Sequence, residues 1–270
     1  MTETLEDRAA AGQISSNAAR VYDTFFVPAL FGQFAEPLVQ AAGVSPGMPV
    51  LDVACGTGAA TRAAAQASGS CHDIVGLDCN PGMLTVAHEK APEIQWQAGD
   101  AGALPFADSA FDAVLCQFGL MFFPDRTGAL GEMRRVLAPG GRAVLAVWAD
   151  VSQSPGYDAL TRLLARLFGR SAADALRAPF KMGDRDTLRA VLDDGGWNAA
   201  DIVPVQGMAR FPSLAEWMRI DVRGWTLAET IDDDQFEVLT REAQTELARF
   251  TDASGQVRFN APAIFAVFAG

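Results

Sequence analysis

The sequence predicts an α/β protein built on a parallel sheet with right-handed crossovers. Residues 1–150 alternate short apolar runs with helix-compatible stretches. The first run closes in glycines at Gly56 and Gly58, and the second closes in an acid, Asp78, twenty residues past Gly58. Buried parallel strands read as continuous apolar runs, and strands separated by helices rejoin one sheet through right-handed crossovers.

The elements follow in order. Val50 to Ala54 is an apolar run stopped by glycine, the pattern of a buried strand, and Thr61 to Ser68 is alanine-rich and helical. Asp73 to Asp78 is a second strand. Asn80 followed by Pro81 supplies a helix cap and a first helical residue, opening a helix that runs to about Lys90. Ile94–Ala98 and Phe111–Cys116 are the third and fourth strands. A helix over Arg126–Leu137 is stopped by Pro139, Gly140 and Gly141, and Arg142–Trp148 is the fifth strand.

The rhythm changes after Asp150. Leu160, Leu163, Leu164, Leu167 and Phe168 share one helical face. Further helices are expected over Asp184–Asp194, from Ser213 with Glu216 at capping-box spacing, and over Asp234–Phe250. Ala200–Phe211 and Gln256–Phe268 read as two late strands that pair at a sheet edge.

Composition narrows the function. The chain of 270 residues is 50% hydrophobic and carries a net charge of −12, enough apolar content for a large core. Phosphate binding draws on lysine and arginine, so the acidic balance argues against a nucleic-acid partner. The uncharged stretch Ala113–Pro124 is too short to span a membrane. Met1 to Asp7 is acidic and polar, unlike a secretory leader, so a cytoplasmic protein is expected. Cys55, Cys71, Cys79 and Cys116 show no metal-like spacing with His72 or His88, and no metal site is expected. Cys55, Cys79 and Cys116 fall near strand ends, where they can lie close together as small buried thiols.

The chemistry concentrates at Val50–Gly58. A strand ending in glycines before a helix lets backbone approach a ligand at the carboxyl edge of the sheet, and an acid at the end of the next strand can take both hydroxyls of a ribose. An adenosine-containing ligand follows. A nicotinamide dinucleotide fits poorly: Gly56 and Gly58 lack a third glycine, with Thr61 in its place, and Asp52 would face a pyrophosphate. That acid suits a ligand carrying an ammonium group and a sulfonium.

Five ordered segments over residues 20–150 resemble the class I S-adenosylmethionine-dependent methyltransferases, in the branch of the ubiquinone/menaquinone C-methyltransferases. Asp52–Gly58 is similar to the first motif, with Ala54 where a fuller pattern has glycine. Gly76–Leu84 is similar to the second, Gly99–Ala101 with Leu104–Phe106 to the third, Phe111–Gly119 to the fourth-strand edge, and Arg135–Arg142 to the fifth-strand lead-in. The resemblance implies S-adenosylmethionine as cofactor and a Rossmann-like seven-stranded sheet of order 3-2-1-4-5-7-6, strand seven antiparallel, with a helical lid and insertions.

By the same resemblance the cofactor residues are Tyr22, Asp52, Ala54, Gly56, Gly58, Asp78, Met83, Asp100, Ala101 and Gln117. Asp78 would bind ribose, Met83 would flank the adenine, and Asp100 and the Ala101 amide would meet its edge. The backbone near Gln117 would hold the methionine part, and Tyr22 would close over the cofactor. The expected organisation is one methyltransferase domain over 1–270: N-terminal lid helices in 1–45, the cofactor core in 46–150, and helical substrate-recognition additions with the last two strands in 151–270. A non-catalytic S-adenosylmethionine or S-adenosylhomocysteine binder, or other chemistry on the same fold, stays open.

Methyl transfer asks mainly for alignment and desolvation, and a neutral hydroxyl acceptor adds the need for a base. Both histidines lie away from the ligand edge, so Asp158, Asp221 and Glu229 are the candidate carboxylates, and no catalytic residue is assigned. Trp217, Met218, Trp225 and Phe211 can line an acceptor pocket or belong to the core. Arg219 and Arg223, one helical turn apart, can bind an acceptor anion or form a salt-bridged face. A small apolar or anionic acceptor is expected, and the oligomeric state is left between monomer and homodimer.

Overall fold

The computed structural model describes residues 16–223, 227 and 231–270. Nine strands form in chain order among them: β1 Val50–Val53, β2 Ile74–Asp78, β3 Gln95–Ala98, β4 Phe111–Gln117, β5 Leu137–Trp148, β6 Asp201–Val205, β7 Met208–Phe211, β8 Val257–Asn260 and β9 Ala263–Ala269. Seven of them make one sheet in the order β3-β2-β1-β4-β5-β9-β6, parallel except for β9, which runs antiparallel to both β5 and β6. With β9 as the seventh strand in chain order of this sheet, the expected Rossmann-like order and the antiparallel strand are both present.

The first described elements are α1 (Ser16–Val21) and a π-helix, Tyr22–Phe31, which leads into α2 (Ala35–Ala42). Between the strands lie α3 (Ala59–Ser68), α4 (Pro81–Lys90) and α5 (Arg126–Val136). Asn80 caps α4 as expected, its side chain accepting from the Gly82 and Met83 N–H groups. After β5 come α6 (Pro155–Phe168), α7 (Arg170–Arg177), α8 (Arg185–Asp194), α9 (Leu214–Met218) and α10 (Asp233–Glu246). Leu160, Leu163 and Leu164 bury the inner face of α6, while Arg162 and Arg166 pair outward with Asp158 and with Glu242 and Glu246.

Two expectations need correction. Pro139–Gly141 does not separate helix from strand: β5 already starts at Leu137, opposite Phe111, and the register then slips so that Arg142 faces Ala113. The slip is a bulge, and it suits a segment with one missing N–H and a glycine at φ 78°, Gly140. The two late strands are also each divided. Their outer parts, β6 and β9, join the main sheet, whereas β7 and β8 form a separate antiparallel ribbon. The divide falls at Gly207, where a Cβ would sit 2.2 Å from the Phe34 ring and 2.6 Å from the Ala261 carbonyl oxygen. The missing side chain at Gly207 thus leaves room for the Phe34 ring at the corner between sheet and ribbon.

Candidate functional site

The carboxyl ends of β1, β2, β4 and β5, the turn after β3 and the π-helix enclose a cleft of about 380 Å³, within the range of small-molecule sites. The turn after β1 carries Ala54 at φ 56° and Gly56 at φ 55°. A left-handed alanine costs about 1–2 kcal/mol, and strain of this kind gathers at ligand sites. Here it turns the backbone N–H of Gly56 toward Asp78.

Asp78, the last residue of β2, is buried. Its Oδ2 accepts from the Gly56 N–H and its Oδ1 from the Asn80 N–H, both at 2.8 Å. Burial pushes its carboxyl above the usual carboxylate range, against the pull of these backbone bonds. Met83 faces the cleft from the first turn of α4 and packs with Ala19, Val86 and Tyr22. Tyr22 opens the π-helix, its ring 5.1 Å from that of Phe31. Burial and the nearby carboxylates push its hydroxyl up, so it is a neutral phenol. Past β3, Asp100 folds back to accept from the Gly102 N–H at 2.8 Å, and Ala101 follows on the wall. Gln117 ends β4; its Nε2 donates to the Phe31 carbonyl at 3.3 Å, and its buried Oε1 has no partner among the described residues.

The cleft therefore gathers Tyr22, Ala54, Gly56, Asp78, Met83, Asp100, Ala101 and Gln117. Asp52 and Gly58 are not on its wall. Asp52 lies within β1, fully buried beneath the floor, with Oδ2 accepting from the Thr61 hydroxyl at 2.6 Å and Oδ1 unpartnered among the described residues. Thr61, which stands where the dinucleotide pattern has its third glycine, is thus the support of this acid. Burial pushes Asp52 up to about 7, the Thr61 bond opposing and the charge of Asp78 adding. Gly58 precedes α3 at φ 80°, and a Cβ there would sit 2.3 Å from the Trp96 ring. That ring is pinned by its Nε1–H, which donates to the Ala91 carbonyl at 2.8 Å, and it also covers Gly76.

A pH dependence follows from Asp52. Between about pH 4 and 7 the folded chain keeps a proton there that the unfolded chain has lost. Stability then falls as pH rises across that window and levels off above it. Melting temperatures from pH 4.5 to 8 are expected to fall less steeply in Asp52→Asn. An identical slope in the variant would assign the fall to other groups, such as Asp221, which burial also raises to about 7.

The aromatic wall was missed from sequence. Phe118 and Trp148 stack with centroids 4.1 Å apart, and Phe31 leans edge-on against Phe118. Their position at the ends of the fourth and fifth expected strands was the available signal. The other candidates divide clearly. His72 and His88 are exposed and off the wall. Asp158 is spent on Arg162. Arg219 pairs with Glu216 and lies over the Phe25 ring, while Arg223 pairs with Asp233 over Phe236. Phe211, Trp217 and Met218 are core. Trp225 and Glu229 lie outside the described residues. All four cysteines are free thiols; Cys79 lies on the wall, and Cys55 and Cys116 are buried. No cluster of metal-ligating side chains occurs among the described residues.

A family model described as a methyltransferase domain matches residues 51–145. The demethylmenaquinone methyltransferase of Renibacterium salmoninarum is 39% identical over 174 residues, covering 60% of this chain and 71% of the relative. The ubiquinone/menaquinone biosynthesis C-methyltransferase UbiE of Burkholderia vietnamiensis is 35% identical over 184 residues, 62% of this chain and 74% of its own. Among solved structures, the YcgJ protein of Bacillus subtilis superimposes with a TM-score of 0.58 at 20% identity, over 88% of this chain and 98% of that one. A phosphoethanolamine N-methyltransferase of Haemonchus contortus in complex with S-adenosyl-L-methionine gives 0.60 at 17%, over 100% and 61%. At these identities the structural likeness is one of fold.

Proposed function

Because the chain belongs to the class I S-adenosylmethionine-dependent methyltransferases of the ubiquinone/menaquinone type, we propose that the cleft at the carboxyl edge of the sheet holds its methyl donor. The observation that carries this is Asp78, buried on the cleft wall and bonded to the Gly56 N–H. A carboxylate offers about four acceptor directions; the Gly56 and Asn80 amides use two, and the ribose hydroxyls take the others. Met83 flanks the adenine, with Asp100 and Ala101 at its edge. The orphaned Oε1 of Gln117 and the turn at Ala54–Gly56 receive the methionine part, and Tyr22 closes over it.

Asp52 lies beneath the floor; raised to about 7 by burial, it is ionised mainly above neutrality, and in that form its charge favours the donor's ammonium group. Gly58 serves the site indirectly, as the seat of Trp96. Bound S-adenosylmethionine supplies an electrophilic methyl group on a sulfonium, and the work of the surrounding side chains is to align it and keep water out. The labour divides as lid in 1–45, donor core in 46–150 and acceptor recognition in 151–270. The acceptor is a small, planar, apolar molecule, a reading supported by the aromatic wall and by the names of the quinone-methylating relatives. No nucleic acid is a partner, in keeping with the net charge of −12. No helix among the described residues is long and apolar enough to cross a membrane, and the reading places the protein in the cytoplasm.

Calorimetry with S-adenosylmethionine, S-adenosylhomocysteine and NAD tests the donor assignment. Micromolar binding of the first two and none of NAD is expected; NAD binding alone would sink it. Release of S-adenosylhomocysteine in the presence of quinol-type acceptors tests turnover, and silence across a broad acceptor panel would favour a binder without catalysis.

A further inference from the structure

Phe31 and Trp148 have a second face. Behind them lies a smaller cavity of about 40 Å³, walled by Phe26, Leu30, Leu176 and Phe180, with Tyr157 and Asp221 as its polar members. Asp221 is buried. Its Oδ2 accepts from the Trp217 indole N–H, and its Oδ1 is approached by the Tyr157 hydroxyl at 3.4 Å. No lysine, arginine or histidine among the described residues pairs with it. Among the described residues, the side chains that face it are Tyr157 from α6, Trp217 from α9 and the apolar cavity wall, while Arg219 beside it turns away to Glu216.

A buried acid without a cation is expensive. If accepting from Trp217 were its whole purpose, a neutral amide would serve at lower cost. The chain instead keeps the acid at a cavity that shares two aromatic rings with the donor cleft. It also lies beyond residues 51–145, which match the methyltransferase domain. Specificity for the acceptor belongs in such a segment, because the donor core is already complete without it.

We propose that this cavity seats the acceptor ring and that Asp221 takes the proton of an acceptor hydroxyl. The inference rests on the methyltransferase reading of the neighbouring cleft. In the step, the acceptor O–H bond breaks, the proton passes to Asp221 Oδ1, and the electron pair stays on the acceptor oxygen, enriching the ring to which it is joined. The proton leaves later to solvent. The 3.4 Å contact from Tyr157 is long for an O–H···O bond, so a closer acceptor hydroxyl displaces it. Burial holds Asp221 at about 7, a value matched to proton transfer near neutrality. It accepts only as the carboxylate, so the step fails as pH drops below that value. At about 40 Å³ the cavity admits water and not a ring. Entry therefore needs outward movement of the π-helix that carries Phe26, Leu30 and Phe31.

The test uses the full chain loaded with S-adenosylhomocysteine and two probes, 1-naphthol and naphthalene, with binding read by calorimetry at pH 8 and pH 6. Asp221→Asn is expected to weaken 1-naphthol at least tenfold at pH 8, to abolish the several-fold preference for pH 8 over pH 6, and to leave naphthalene within twofold. Leu176→Trp, which fills the cavity, is expected to lose both probes, and both variants should keep wild-type affinity for S-adenosylhomocysteine. Equal 1-naphthol binding by wild type and Asp221→Asn, probes retained by Leu176→Trp, or no probe binding to wild type would each overturn the inference. Failure of the wild type to bind S-adenosylhomocysteine would overturn the donor-cleft reading itself, and this inference with it.

Discussion

Replacing Asp78 with alanine is expected to raise the dissociation constant for S-adenosylmethionine about a hundredfold while leaving the chain folded. The carboxylate holds two amides, Gly56 and Asn80, and so sets both the turn after β1 and the start of α4. Hydrogen bonds to a charged group are worth about 1.5–3 kcal/mol each. Losing those to the ribose, together with the ordered turn, accounts for about two decades in affinity. Stability should also fall, by about 1–3 kcal/mol for each amide left without its acceptor, so the binding comparison is made on the folded variant. Asp78→Asn, which keeps the volume and one acceptor oxygen, should fall between the two. Calorimetry decides the matter, and an unchanged dissociation constant for the alanine variant would refute the ribose role.

Gly58→Ala is expected to act on the fold, lowering stability by about 3 kcal/mol, from a left-handed backbone cost of about 1–2 and a similar cost of overpacking. The new methyl carbon would meet the Trp96 ring at 2.3 Å, and the ring cannot swing away without breaking its bond to the Ala91 carbonyl. For a chain of this size the melting temperature should drop by about 6–12 °C. Affinity for S-adenosylmethionine in the folded protein should change less than threefold. A double-mutant cycle with Trp96→Leu separates the two costs, since removing the ring relieves the clash and leaves the backbone strain. If Trp96→Leu brings no relief, the contact is not the cause.

These two residues mark how far local pattern reaches. The five parallel strands and their helices were legible because apolar runs, glycine stops and the Asn80–Pro81 cap are short-range signals. Asp78 was legible for the same reason: the end of a strand is a place that spacing alone can find. Whether Asp52 stands in the cleft wall or under it was not, because β1 is buried on both faces and the run has no polar side to set its orientation. Trp96 left no trace in the glycine motif it packs on, since the contact joins β3 to α3 across the sheet. The close approach of Phe34 to Gly207, at the break, joins residues far apart in sequence. After residue 150, helical periodicity located the helices but not their depth, so Asp221 could not be told from Asp158 until one proved buried and the other paired with Arg162.

The place of β9 in the sheet has a consequence for synthesis. It lies between β5 and β6, yet it is made last of the nine strands. While Ala149–Pro262 are being added, the edge of β5 from Arg142 to Trp148 has no neighbour on that side. An open, apolar strand edge is a template for pairing with other chains. Until Ala263–Ala269 is made, the nascent chain therefore carries an open β5 edge as an aggregation hazard, and that hazard ends when this strand slides in between β5 and β6.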